Sequence, residues 1–352
     1  VESLAVVFLA GLVVGYFVLA GCDIGLGMLM PYLARGSAER RRVASAIAPY
    51  FLGTEVWLVA AVGVVAAAFP ELKSAVVVQQ WPVFVALLAG WLWRDAGLWF
   101  RARVDARRWH GFWDAAVVAG SWTLALCWGL VLAALLGGTA FSVFGVVCAI
   151  AVALLFALRG AAFGAERLVP ADESAVVPPH PLPTARAAAA VAPGSAAAPV
   201  AAAASPAAPV AVSASAADPA ESADVAAQAT RVLARAALGA VVLAIGAAVL
   251  SGGTAVGRPL SAVVVLTVLV TALASTSGLS GPRWSRHTSA LAMAVPPLLV
   301  ASAVELPGLE SEPATLALVG AGVAPLLPVM VIGQIWLYRI LRRPAVASGF
   351  FA

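Results

Sequence analysis

The chain has 352 residues, of which 62% are hydrophobic and 11% charged, and its mean hydropathy is +0.99. A water-soluble domain of that balance would expose more apolar surface than water tolerates, so an all-α polytopic membrane protein is expected. The formal net charge of +4 sits on loop arginines. Without a basic helix or an aromatic-basic repeat, it points to anionic lipid headgroups and not to nucleic acid.

A membrane helix needs roughly 20 apolar residues. Nine runs qualify, at about 4–33, 45–69, 75–100, 112–136, 141–164, 232–251, 259–278, 287–305 and 314–341. The first, Leu4 to Leu33, is too long for the apolar core of a signal peptide and has no basic stretch before it, so it reads as the first span. Between the first two spans stand Arg35, Arg40, Arg41 and Arg42; between the third and fourth, Arg101, Arg103, Arg107 and Arg108. Arg167 and Arg186 follow the fifth, Arg231 and Arg235 precede the sixth, Arg283 and Arg286 separate the seventh and eighth, and Arg342 and Arg343 follow the ninth. The opposite loops carry only Lys73 and Arg258, beside Glu71, Glu310 and Glu312. Positive loops face the cytoplasm, which predicts an outside N-terminus and a cytoplasmic C-terminus in a bacterial plasma membrane.

Four regions are expected: a membrane half (1–164), a linker (165–230), a second membrane half (231–343) and a short tail (344–352). The linker includes "PTARAAAAVAPGSAAAPVAAAASPAAPVAVSASAADPAESADVAAQ". Repeated prolines break any long helix there, and the lack of large side chains precludes a core, so a disordered cytoplasmic tether is predicted.

In "PYFLGTEVWLV" (49–59) a carboxylate, Glu55, interrupts a membrane run, which costs roughly 2–3 kcal/mol on insertion scales. Asp23 lies about as deep in the first span as Glu55 does in the second: each is about ten residues, or roughly 15 Å, from the cytoplasmic end. The two spans are consecutive and antiparallel. Two carboxyls at one depth on neighbouring helices are placed either to relay a proton or simply to hold helices together by hydrogen bonds. "GCDIGLG" also supplies Gly21 and Gly25 at GxxxG spacing, whose default meaning is close helix packing, and Gly27 on the same side. Arg94 and Asp95 lie toward the end of the third span, where Arg94 is expected to snorkel or pair with a neighbour. Asp114 is expected to open the fourth span, where a carboxylate suits the positive helix end. Trp81, Trp91, Trp93, Trp99, Trp109 and Trp113 read mostly as interface anchors. Pro296–Pro297 in the eighth span, and Pro325 with Pro328 in the ninth, predict kinks. Cys22, Cys127 and Cys148 are far apart in apolar runs and form no metal or disulfide pattern. His110, His180 and His287 fall in loops or at helix edges, so no metal site and no axial haem ligand of the usual kind is expected in this chain.

The stretch "GYFVLAGCDIGLGMLMPYLARGSAERRRVASAIAPYFLGTEVWLVAAVGVVAAAFPELKS" resembles the opening of subunit II of cytochrome bd-type quinol oxidases. "FWDAAVVAGSW", "LFALRGAAFGAERL" and "PATLALVGAGVAPLLPVMVIGQIWLYRILRR" are similar to later helices of that family. The resemblance implies two four-helix bundles plus a peripheral ninth helix, paired with a subunit I that carries haems b and d and the quinol site. The complex would oxidise quinol and reduce O2 to water, and this chain would support the partner and lend a proton path through Asp23 and Glu55. The chain departs from the family pattern at Leu52, where an acid is usual, and at Thr54, Ala20 and Arg159. Either Glu55 with Asp23 takes over from the missing acid, or protons arrive through subunit I. Two alternatives stay open. One is a proton- or ion-coupled secondary transporter, against which the later spans offer no matching acid. The other is a purely structural assembly subunit of a divergent oxidase.

Overall fold

In hydrocarbon every backbone N–H and C=O must find a partner within the chain, and long apolar runs do so as helices. The computed structural model describes residues 2–169, 221–251, 256–278, 282–304, 317, 320–322 and 325–340. Its helices are α1 (Glu2–Leu33), α2 (Ser37–Ala68), the single turn α3 (Pro70–Lys73), α4 (Trp81–Phe100), α5 (Arg107–Leu135), α6 (Val143–Arg167), α7 (Glu221–Leu250), α8 (Pro259–Gly278), α9 (Pro282–Ala303) and α10 (Leu326–Ile340). No strand occurs among the described residues. A π-type turn, Ser74–Val78, joins α3 to the approach of α4.

Among the described residues, eight helical segments are long and apolar enough to cross a membrane: α1, α2, α4 to α8, and the segment ending in α10. The run expected at 287–305 is helical as α9 but is not among those eight. Its first turns carry Ser285, Arg286, His287, Thr288 and Ser289, and it contains Pro296 and Pro297. The eight reach a multi-pass all-α protein, and the count of nine does not follow from length and apolarity.

The helices pack as two groups of four. In the second, α6 touches α7, α7 touches α8, α8 touches α9 and α9 returns to α6, closing a ring. In the first, α1 packs on α2 and α5, and α5 on α4. The groups meet where α1 lies against α6 and α9, and α5 against α6. Helix α10 touches α2 and has no buried residue by whole-residue exposure, so it is peripheral.

Small residues set the closest approaches. A Cβ on Gly25 would collide with the Phe156 carbonyl and with Gly160, and a Cβ on Gly160 would collide with Gly25. The α1–α6 crossing therefore brings backbone against backbone, the geometry that small residues permit in membranes. Gly90 and Gly120 do the same between α4 and α5.

Three boundaries differ from expectation. Helix α7 starts at Glu221, inside the stretch read as linker, because Ala223, Ala226, Thr230, Ala234 and Ala237 recur every three or four residues as a buried stripe. Residues 170–220 of the linker, the tail after residue 343, and His180, Arg186, Glu310 and Glu312 lie outside the described residues. Helix α5 starts at Arg107, so Asp114 lies two turns inside the helix and does not open it. Helix α10 begins just after Pro325, and Pro328 falls in its first turn, where the absent N–H has no intrahelical acceptor to miss.

Candidate functional site: a buried acid cluster around Arg94

The packing of α4 on α5 through Gly90 and Gly120 aims Arg94 toward α1. The Cβ that Gly120 lacks would sit against the Arg94 backbone and Cβ. On α1, Asp23 is 1% exposed, and on α4, Arg94 is 2% exposed. Arg94 Nη2 lies 3.1 Å from Asp23 Oδ2, and Nη1 lies 3.0 Å from Asp95 Oδ1. Asp23 Oδ1 accepts the Ile24 N–H at 2.7 Å, and its Oδ2 accepts the Thr54 hydroxyl at 3.3 Å. Thr54 is thus turned inward from α2 to the α1 acid.

Glu55, the next residue, faces α4. Trp91 Nε1 donates to Glu55 Oε1 at 2.9 Å. Trp91 and Asp95 are one helical turn apart and present one face of α4. Asp95 thus lies on the α4 face to which Trp91 ties Glu55. Glu55 is only half-buried, and its outward neighbours on α2, Leu52, Val56 and Val59, are exposed. Leu52, where the resemblance implies an acid, therefore lies on the outer face of α2, beside the cluster and outside it.

The result is one cluster across three helices: ion pairs join Asp23, Arg94 and Asp95, and Trp91 ties Glu55 to the same face of α4. The cluster holds three carboxyls and one guanidinium, so full ionisation would leave a formal charge of −2 in a medium that penalises one uncompensated charge severely. The site is thus chemically suited to hold and pass protons.

The sequence reading singled out Asp23 and Glu55, and the structure brings them to one cluster. It does not set them against each other: Arg94 and Asp95 lie between. Arg94 does not snorkel, because carboxylates on both sides outweigh the gain of reaching the interface. Trp91 is a cluster ligand and not an interface anchor, whereas Trp93, Phe100, Trp109, Phe112 and Trp113 do form one aromatic group at the α4–α5 end. The signal for Asp95 was present: Trp91 and Asp95 share the i, i+4 spacing that puts both beside a neighbouring helix.

Gly21 and Gly25 lie on the other side of α1, against α6. Gly21 is covered by the Arg159 side chain, and Gly25 abuts Gly160. Arg159, 7% exposed, donates from Nε to the Val18 carbonyl (3.2 Å) and from Nη1 to the Arg286 carbonyl (2.8 Å) and Ser289 Oγ (3.3 Å). At the arginine-rich end of α1, Asp114 holds both Arg101 and Arg40, the latter at 3.6 Å. Among the described residues no group of three metal-binding side chains converges.

A family model described as cytochrome bd terminal oxidase subunit II matches residues 1–341. The chain is 34% identical over 132 residues to cytochrome bd-I ubiquinol oxidase subunit 2 of Escherichia coli K12, covering 38% of this chain and 35% of that protein. It is 35% identical over 115 residues to cytochrome bd ubiquinol oxidase subunit 2 of Bacillus subtilis, covering 33% of this chain and 34% of that protein. It is 33% identical over 130 residues to a probable cytochrome oxidase subunit 2 of Haemophilus influenzae, covering 37% of this chain and 34% of that protein. The matches therefore span about a third of the length of these relatives.

Proposed function

The chain belongs to the cytochrome bd terminal oxidase subunit II family, and from that premise we propose that it is the non-haem partner in a quinol-oxidising, O2-reducing membrane complex. The reading assigns haems b and d and the quinol site to the other subunit. It is supported by the donor set here: the described histidines, His110 and His287, sit in the first turns of α5 and α9, away from mid-membrane. The haems, when bound in the partner, supply the electron transfer and O2 chemistry. This chain's residues hold protons, exclude water and bury the partner's wall.

The observation that carries the reading is the buried cluster of Asp23, Arg94 and Asp95, with Glu55 tied to it through Trp91. It runs from the interior of the first bundle to a half-exposed carboxyl on the α2–α4 face. A carboxyl left half-exposed between Val56, Val59 and Leu92, all outward-facing, is costly against lipid and economical against a polar group of a partner helix. We place the arginine-rich loops in the cytoplasm on the positive-inside rule. Protons for O2 reduction then move from that side toward the partner through the acid cluster.

The test is Glu55→Gln with Asp23→Asn in the complex reconstituted in proteoliposomes. Quinol-dependent O2 consumption falls on the order of a hundredfold, in the range expected when a positioned proton-transfer group is removed, while haem content holds. Unchanged turnover at unchanged haem content would leave this chain a purely structural assembly subunit.

A further inference from the structure

The arginine-rich end of the first bundle carries more positive charge than its own carboxylates answer. Residues 35–42 and 101–114 hold eight arginines against Glu39, Asp105 and Asp114. Glu39 is engaged by the backbone N–H groups of Arg35 and Gly36. Asp114, itself buried, is shared between the buried Arg101 and, at 3.6 Å, Arg40. One carboxylate between two guanidiniums leaves a charge in surplus. It falls to Arg40, whose side chain is 37% exposed against 8% for Arg101. Arg40 Nε donates to the Ala34 carbonyl at 3.4 Å and Nη1 faces Asp114. A guanidinium has five N–H donors, more than these two acceptors take up.

Two clefts meet beneath that charge. Arg40 and Asp114 border the first, of about 310 Å³, with Met30 and Pro31 of α1 and Ala115 and Ala119 of α5. The second, of about 470 Å³, lies between α4 and α5, with Trp93 and Phe112 toward the loop end and Gly90, Ala119 and Thr123 deeper in. Ala115 and Ala119 border both clefts and are exposed, so they form a low ridge with a groove on either side. The second groove runs from Phe112 to Thr123, eleven residues or about 16 Å. That is close to one leaflet's half of a hydrocarbon core roughly 30 Å thick. The Thr123 hydroxyl turns back to the Ala119 carbonyl at 2.9 Å, which keeps the floor apolar. From Thr123 to Leu135, α5 has no exposed residue. A spanning helix of a partner needs a face that continues through both leaflets, and this one stops at the middle.

We propose that this face of α5 binds one anionic diacyl phospholipid, with its phosphate at Arg40 and its two chains in the grooves on either side of the Ala115–Ala119 ridge. Two grooves suit two chains, and their depth suits one leaflet. The surplus guanidinium at the loop end suits a phosphate at headgroup level, where basic residues attract anionic lipid. Asp114 alone would repel that phosphate, but Arg101 and Arg40 outnumber it. The site lies around α5 from the α2–α4 face assigned above to the haem-bearing partner, where Leu52, Val56 and Leu92 point outward. Lipid and partner therefore occupy different faces. Held in this way, the lipid touches α1, α2, α4 and α5 and braces the loop end of the first bundle.

The experiment is native mass spectrometry of the purified two-subunit complex, stripped of lipid in detergent and titrated with phosphatidylglycerol or with phosphatidylcholine of the same chains. The wild-type complex takes up its first phosphatidylglycerol about fivefold more tightly than phosphatidylcholine, the effect of one basic residue near a membrane surface. Arg40→Gln abolishes that preference, while Asp114 keeps Arg101 as its partner. Ala119 is exposed, so Ala119→Leu fills both grooves from outside without disturbing the helix packing, and it weakens the first site for both lipids alike. Equal affinity of the wild-type complex for the two lipids overturns the proposal, as does a preference that survives Arg40→Gln. Unchanged affinities in Ala119→Leu overturn the grooves as the seat of the chains. Separation of the two subunits in Ala119→Leu would make the ridge a subunit interface and overturn the lipid site as well.

Discussion

Arg94 and Arg159 are both buried arginines inside membrane helices, and they are stabilised in opposite ways. Arg94 meets carboxylates: Asp23 at 3.1 Å and Asp95 at 3.0 Å, with Glu55 tied to the same face of α4 by Trp91. Arg159 meets dipoles: the Val18 and Arg286 carbonyls and the Ser289 hydroxyl. A guanidinium has five N–H donors and can be satisfied by either kind of acceptor. Only the first arrangement has acids in excess, and so only it can store a proton. The second ties α1, α6 and α9 together at fixed charge. On the proposed reading, similar depth and the same residue type therefore serve a relay on one side of α1 and a clamp on the other.

The largest effect that distinguishes them comes from Arg94→Gln. It removes the one cation from three carboxyls and leaves Asp23, 1% exposed, without its charge partner. Breaking a buried pair in this way costs about 3–5 kcal/mol. Thermal unfolding of the complex in detergent measures the loss, and Asp23→Asn added to Arg94→Gln recovers part of it. If the double variant were no more stable than the single one, the pair would not be an electrostatic unit.

Arg159→Gln is the next in size. It exchanges charge-assisted hydrogen bonds for those of a neutral amide, a net loss of about 1.5–3 kcal/mol, and leaves no orphaned ion, because carbonyls are neutral. The expected outcome is a smaller loss of thermal stability with quinol-dependent O2 consumption per haem unchanged. A fall in turnover as large as that of the cluster variants would break the distinction between clamp and relay.

How much of this was legible in the sequence differs between the two regions. Periodic apolar runs and arginine-rich loops sufficed for the helices, because hydrocarbon forces backbone pairing within a segment. The depth of Asp23 and Glu55 followed from counting residues at a fixed rise. Arg94 was harder. Seven residues from Arg101, it lies where a long side chain can reach the interface or turn inward, and only the packing of Gly90 on Gly120 decides between them. The start of helix α7 is hard to read because alanine serves equally as tether filler and as a packing stripe. The i, i+3, i+4 recurrence of Ala223, Ala226, Thr230 and Ala234 was the discriminating pattern.

The smallest effect is expected at Arg286, which serves both regimes at once. Its carbonyl accepts from Arg159, while its side chain pairs with Glu166 at 2.8 Å. That ion pair is about 40% exposed on both partners, so water screens it and holding two long side chains together offsets much of its attraction. Exposed pairs contribute roughly 0.2–1 kcal/mol. Glu166→Gln should therefore lower thermal stability by less than Arg159→Gln, and its effect should shrink as salt is added, while that of Arg159→Gln should not. The salt series is the decisive measurement. A salt-insensitive loss at Glu166 as large as that at Arg159 would mean that the carbonyl contact depends on the rim pair to hold α9 in place. The clamp would then extend to the membrane surface instead of ending at the buried hydrogen bonds.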